Sequence, residues 1–176
     1  MNFCSNCAHP VQFKMVEGDN RPRYVCDACN TIHYQNPNIV AGCLPIWEDQ
    51  VLLCKRAIEP RLGYWNLPSG YLENEETVED GAVREVMEEA CIEVEIIALH
   101  AVFSIPHISQ VYMHFLAEMP DVNFAPGVES LEVALFKEED IPWKEIAFSS
   151  SIFSLKHYFA DRKNGRREVH LGKFEF

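Results

Sequence analysis

The sequence predicts an α+β protein in two parts: a small cysteine-held ribbon over residues 1–36 and a sheet-rich domain with two helices over 37–176. Three observations carry this. Two Cys-x2-Cys pairs stand near the N-terminus, Cys4 with Cys7 and Cys26 with Cys29, eighteen residues apart. Behind them come apolar runs of strand length, separated by turn residues. Two longer stretches, 77–90 and 149–163, repeat apolar residues at helical spacing.

Each knuckle offers two sulfurs to one tetrahedral ion, the pattern of a four-thiolate zinc ribbon. A redox pair needs only one knuckle, and an iron–sulfur cluster is the other alternative. A closed four-sulfur site keeps no open coordination position, so a Zn²⁺ here is expected to be structural. Gly18-Asp19-Asn20 reads as a turn and Tyr24-Val25 as strand, which suits two small hairpins. Asn36-Pro37-Asn38 marks the seam between the two parts, since asparagine and proline favour turns. Strands are expected at 39–47 and 51–56, joined by a hairpin at Glu48-Asp49-Gln50, and a short one at 64–67 after a loop carrying Pro60 and Gly63. A helix follows over 77–90, then strands at 94–105, 111–119 and 131–136. Asp140-Ile141-Pro142 reads as a turn, and Asn164-Gly165 ends the second helix. Cys43 and Cys54 lie in apolar runs and read as small core residues.

The first helix carries the chemistry. Glu85, Glu88 and Glu89 stand at i, i+3 and i+4, so they share one face. Each pair repels by roughly 4 kcal/mol at about 4 Å for an effective dielectric of about 20. A solvated acidic helix would mix bases among its acids, yet residues 72–95 contain one basic residue, Arg84. Val78, Ala82, Val83, Val86 and Ala90 meanwhile form an apolar stripe, so the acids are segregated on an amphipathic helix. One guanidinium does not neutralise three carboxylates. Hard cations such as Mg²⁺ or Mn²⁺ take carboxylate oxygens readily, and the pattern reads as a metal site for phosphate chemistry.

The segment resembles the Nudix box, G-x5-E-x7-R-E-U-x-E-E-x-G-U with U aliphatic, on Gly70, Glu76, Arg84, Glu85, Val86, Glu88, Glu89 and Ile92. The second glycine of the box is replaced by Cys91, where a left-handed residue would end the helix. Trp65-Asn66-Leu67-Pro68-Ser69-Gly70 is similar to the W-x-L-P-x-G that leads into many such boxes. The resemblance implies an α/β/α sandwich with a mixed sheet and a hydrolase that cleaves a nucleoside diphosphate linked to another group. It implies Mg²⁺ or Mn²⁺ held by Glu85, Glu88, Glu89 and the Gly70 carbonyl, with Arg84 orienting a glutamate through an ion pair with Glu76. Glu85 is the first choice for the base. Glu129 and Glu132 are candidates for an extra ligand or base, with Glu132 assigned to the metal and Glu129 to the substrate; a solvated loop is the alternative for both.

Arg56, followed by Lys55 and Arg61, is a candidate for meeting the phosphates, or else an exposed solubilising residue. For a base or flavin ring the chain offers Phe103, His107 and Tyr112, with Tyr64 and Trp65, although aromatics in a sheet also serve as core. The S-Q-P-W-P-F-P-x-S tract of the NADH pyrophosphatases is missing; Ser104-Ile105-Pro106-His107-Ile108-Ser109-Gln110 stands in its place. The runs Tyr34-Gln35-Asn36-Pro37, 51–56, Phe124-Ala125-Pro126-Gly127, Glu129-Ser130-Leu131-Glu132 and Ala147-Phe148-Ser149-Ser150 are similar to chloroplast-type FAD pyrophosphatases and their bacterial relatives. That resemblance implies FAD or ADP-ribose as substrate, with NADH cleavage, RNA decapping or non-catalytic nucleotide sensing as alternatives, and Nudix relatives are often dimers.

A net charge of −12 argues against extended contact with a phosphate backbone, so the expected partner is a small nucleotide rather than a nucleic acid. No stretch approaches the roughly 20 apolar residues of a membrane span, and Met1-Asn2-Phe3-Cys4 opens a structured motif rather than a leader, which leads to the expectation of a cytoplasmic protein. Seven cysteines do not spread as a disulfide framework.

Overall fold

Residues 1–175 are described by a computed structural model, in which contacts divide the chain into Met1–Asn36 and a second unit from Pro37 onward. In the first unit β1 (Gln12–Met15), β2 (Pro22–Val25) and β3 (Ile32–His33) form an antiparallel sheet in that order. The residues buried in this unit are Cys4, Val25 and Cys26, so the cysteines stand where a hydrophobic core would otherwise be.

The second unit is built on one mixed sheet. Its strands are β4 (Asn38–Trp47), β5 (Gln50–Arg56), β6 (Trp65–Asn66), β7 (Ser69–Tyr71), β8 (Glu95–Ile105), β9 (Gln110–Glu118), β10 (Ser130–Phe136) and β11 (His170–Lys173), with helices α1 (Val78–Ala90) and α2 (Ser149–Asn164). The main path runs β10-β5-β4-β9-β8-β11, with β6 paired to β5 and β7 to β4. The β4–β9 and β8–β11 pairs are parallel; the others are antiparallel.

Period-2 alternation places a core on each face. Ala41 and Cys43 of β4, Leu52 and Cys54 of β5, and Phe115 and Ala117 of β9 pack with Ala82, Val86 and Ala90 of α1. Their neighbours Leu44, Val51, Leu53 and Leu116 pack with Leu155, Tyr158 and Phe159 of α2. The central strands therefore read as continuous apolar runs because both faces are covered, and each fully buried leucine contributes about 1.5–3 kcal/mol. This is the helix–sheet–helix sandwich and mixed sheet expected. Among the described residues no helix is long and apolar enough to cross a membrane.

The sequence-read boundaries differ from the observed ones mainly through two strands they omit. β7 has three residues and β11 four, and both depend on long-range pairing rather than on an apolar run. At the end of α1, Cys91 adopts φ 52° and ψ 36°, with its N–H donating to the Met87 carbonyl. The box glycine's left-handed conformation is thus kept by a residue with a side chain, at about 1 kcal/mol. Cys91→Gly is expected to raise stability by up to ~1 kcal/mol, less the extra chain entropy of glycine. Urea midpoints of the two chains check this, and a lower midpoint for the glycine variant would refute it.

Candidate active site

Thr77 starts α1: it accepts the Asp80 N–H at 3.1 Å and donates its hydroxyl to Asp80 Oδ2 at 2.7 Å. This cap fixes the rotation of the helix, so Ala82, Val86 and Ala90 enter the core while Glu85 and Glu89 face β7 and the loop before it. Both are deeply placed for carboxylates, 8% and 7% exposed, whereas Glu88 is exposed.

Arg84 organises the outer side. Its Nε and Nη2 donate to Glu76 Oε2 and Oε1 at 3.0 and 2.8 Å, a bidentate fork. Its Nη1 donates to Glu85 Oε1 at 2.7 Å and Glu88 Oε2 at 3.3 Å, and its Nη2 also reaches the Tyr71 carbonyl at 3.2 Å. Hydrogen bonding to Arg84, helped by the Glu73 N–H, holds Glu76 down to about 2. The strand beside it is shaped for close approach. A side chain at Gly70 would run into the Glu85 carboxylate, so only glycine lets the β7 backbone lie against that acid.

Burial raises the pKa of Glu85 against the pull of Arg84, with Glu88 and Glu129 adding to the rise. Glu89 is pushed up to about 8, first by burial and then by Glu85 and Glu129, against the opposing pull of Arg56 and the Ser69 N–H. Two buried, mutually repelling carboxylates with an open third acid at their side are a donor set for a hard, oxygen-seeking cation. Arg84 pairs with both Glu85 and Glu88, and the three acids are set farther apart than the four cysteines are.

Glu129 reaches this cluster through a backbone device. Ala125 and Gly127 donate their N–H groups to the last α1 carbonyls, Ala90 at 3.0 Å and Glu89 at 3.1 Å, and a side chain at Gly127 would strike the Glu88 carbonyl. The loop is thereby pinned to the helix end and carries Glu129 into the field of Glu85 and Glu89. Glu132 is placed elsewhere: it pairs with Lys55 Nζ at 3.6 Å across the β5–β10 ladder. Of the two glutamates, Glu129 is the one whose charge acts on Glu85 and Glu89. Glu129→Gln is expected to lower kcat at least about tenfold and Glu132→Gln by less than about threefold. The reverse order in steady-state rates would refute the placement.

The substrate candidates divide similarly. Arg56 lies near the cluster, lowering Glu89, while its Nε donates to the Pro60 carbonyl at 2.9 Å and its guanidinium stacks 5.1 Å from the Phe148 ring centre. Phe103 and Tyr112, 5% and 8% exposed, pack together with Val40 and Ile105, so neither offers a free ring face. Their inward positions follow from the same alternation that builds the core. His107 is exposed on the turn after β8, 5.0 Å from the Phe174 ring centre. Lys55 lies over buried Trp65, and Arg61 over Tyr64. Sequence reasoning did not single out Tyr71, which is 56% exposed beside Gly70 and accepts Gln110 Nε2 at its hydroxyl at 2.6 Å. Nor did it find the buried link from Ser151, which donates to Asn66 Oδ1 at 2.6 Å, through Asn66 Nδ2 to Ser69 Oγ at 3.4 Å. That link ties α2 to the residue whose N–H serves Glu89; an aromatic next to the box glycine is the signal for Tyr71, and spacing gives none for a link between residues 66 and 151.

In the first unit the four sulfurs converge. Cys4 and Cys29 Sγ are 3.6 Å apart and Cys7 and Cys26 Sγ 3.4 Å, close to the roughly 3.8 Å edge of a tetrahedron with about 2.3 Å Zn–S bonds. Donors surround them: the Asn6 N–H to Cys4 at 3.4 Å, Asn6 Nδ2 to Cys29 at 3.9 Å, and His33 Nε2 on Cys4 at 3.3 Å. Hydrogen bonds from Thr31 hold Cys29 down to about 6, while Cys7, against the pull of a main-chain hydrogen bond at His9, is pushed up to about 12 by its contacts with Cys29 and Cys26.

Comparison with known proteins agrees with both halves. Residues 36–155 match the family model described as NUDIX domain, and residues 2–35 match one described as Nudix N-terminal, a zinc ribbon. A solved NUDIX hydrolase from Nitrosomonas europaea is 54% identical, with 99% of each chain covered and a TM-score of 0.96. An NAD-capped RNA hydrolase NudC from Photobacterium profundum is 29% identical over 80% of this chain, and one from Salmonella typhi 28% over the same share. The chain spans about half the length of these curated relatives, 52% and 53%. An ADP-ribose pyrophosphatase from Streptococcus suis, 22% identical with 77% and 99% covered, shares the fold at a TM-score of 0.64.

Proposed function

The chain belongs to the Nudix family of hydrolases, and from that premise we propose that it cleaves the pyrophosphate of an adenosine diphosphate conjugate, with FAD or ADP-ribose as the favoured substrates and AMP plus FMN or ribose 5-phosphate as products. The observation that carries this is the buried pair Glu85 and Glu89, set against Gly70 and joined by Glu129. Glu85, Glu88, Glu89 and the Gly70 carbonyl are the proposed holders of Mg²⁺ or Mn²⁺. Bound there, the ion supplies charge neutralisation on the phosphates and a more acidic water. The protein's own share is positional. Arg84 spaces Glu85 from Glu88 and braces Glu76, Arg56 supplies positive charge for a phosphate, and Tyr71 offers an open ring at the rim of the site. Glu85 or Glu129, both within reach of the cluster, takes the proton of the attacking water.

The ranking of FAD and ADP-ribose ahead of NADH rests on the runs shared with FAD-cleaving relatives and on the replacement of the NADH tract by residues 104–110, here the end of β8, a turn of 3-10 helix and the start of β9. A second reading, cleavage of NAD or NAD-capped RNA, is favoured by the NudC relatives, while the net charge of −12 weighs against long RNA contacts. Values of kcat/KM for FAD, ADP-ribose, NADH and an NAD-capped oligonucleotide, each with Mg²⁺ or Mn²⁺, decide between them. NADH or capped RNA exceeding both rivals about tenfold would overturn the ranking and leave the reaction class standing.

A further inference from the structure

Away from the acidic helix, three elements bring a second nitrogen and oxygen donor set together. Pairing of β11 beside β8 places His170 opposite Ala101 and next to His100, and the last turns of α2 add Asp161. One donor atom from each of His100, Asp161 and His170 lies within 4.8 Å of the others. His170 Nε2 meets Asp161 Oδ2 at 2.8 Å, and the same oxygen accepts the Glu168 N–H at 3.3 Å.

His100 is the decisive member. It is 1% exposed, and its Nε2 lies 2.9 Å from the Ser154 carbonyl. A carbonyl only accepts, so Nε2 carries the proton and Nδ1 presents a bare lone pair. That Nδ1 is buried without a hydrogen-bond partner. A buried acceptor left unpaired costs free energy, and an imidazole whose other nitrogen donates to a main-chain carbonyl is held as metal-ligating histidines are held. His157 stacks on His170 at 4.0 Å and 25°, which orients that ring from the outside rather than adding a donor. His100 and Asp161 also line a cavity of about 480 Å³, through which an ion can reach them.

We propose that His100, Asp161 and His170 form a divalent-cation site for a zinc-class first-row metal, separate from the cysteine ribbon and from the acidic helix. Two imidazoles and one carboxylate suit such an ion better than Mg²⁺, which favours an all-oxygen octahedron, and they leave a coordination position open on the cavity side. The site would clamp β11 and the end of α2 to β8.

The test titrates Zn²⁺ into the full chain with its ribbon already loaded, under excess Mg²⁺ so that the acidic helix is masked. One further equivalent is expected, and Co²⁺ in its place should give a spectrum without a new thiolate charge-transfer band. Asp161→Asn, which keeps shape, and His170→Ala should each weaken that equivalent by more than the roughly 10–100-fold that loss of a mere orienting partner costs. Glu89→Gln should leave it in place. No equivalent beyond the ribbon's, or one that persists in both Asp161→Asn and His170→Ala, overturns the proposal and leaves the cluster as a hydrogen-bonded clamp.

Discussion

Glu89→Gln is expected to lower kcat/KM for the pyrophosphate substrate at least a hundredfold, about 3 kcal/mol in the barrier, while the chain stays folded. The side chain keeps its shape and loses its charge. Glu89 is the most strongly perturbed acid of the site, pushed up to about 8 by burial, Glu85 and Glu129. Its folded value lies above the ordinary 4.5 of an unfolded glutamate, so the folded state holds a proton that the unfolded state releases. Stability of the ion-free chain therefore falls as pH rises from about 4.5 to 8, and the neutral amide is free of that loss. In buffer free of Mg²⁺ and Mn²⁺, with the ribbon's zinc retained, Glu89→Gln should be as stable as wild type or more so, by up to ~3 kcal/mol near pH 7, with the gap closing below pH 4.5. A conventional destabilised mutant loses activity and stability together. Here they part, and turnover within about threefold of wild type would show that Glu89 takes no part in the reaction.

The same residues show how far the site can be read from the chain. Glu85, Glu88 and Glu89 are legible because helical spacing alone puts them on one face and the scarcity of bases leaves them uncompensated. Glu129 is legible only as one of two nearby acids, since its place depends on Ala125 and Gly127 capping the end of α1, a contact formed between segments far apart in sequence. The alternation that marks Phe103 and Tyr112 as strand residues is what turns them inward, and spacing cannot say which face of a doubly covered sheet is the binding face.

For the fold, long apolar runs were the legible part. Strands β4, β5, β8, β9 and β10 follow the expected ranges within a residue or so, and Gly165 ends α2 at φ 61°. β7 and β11 carry Gly70 and Gly172 within three and four residues, too short and too small to announce themselves. They exist because a neighbouring strand offers an edge, and both matter: one places Gly70 against Glu85, the other brings His170 to His100. Parts of the fold held by long-range pairing are thus also parts that position chemistry.

Removing the thiolates should have the largest effect on structure. In the first unit the buried residues are Cys4, Cys26 and Val25, and one valine supplies at most about 3 kcal/mol. That side chain and three short strands return little against the backbone entropy lost when the unit orders. A zinc ion on four converging sulfurs contributes about 10–16 kcal/mol in comparable small domains, enough to decide whether such a unit folds. Cys26→Ser is therefore expected to release one zinc per chain and strip the amides of residues 1–36 of hydrogen-exchange protection, while those of β4, β5 and α1 keep theirs. The acids of the proposed hydrolytic site all belong to the other unit, so turnover at saturating Mg²⁺ should outlast the ribbon. Elemental analysis and residue-resolved exchange check this together. Iron in place of zinc, or protected ribbon amides in a metal-free chain, would show that something other than a four-thiolate zinc holds these residues.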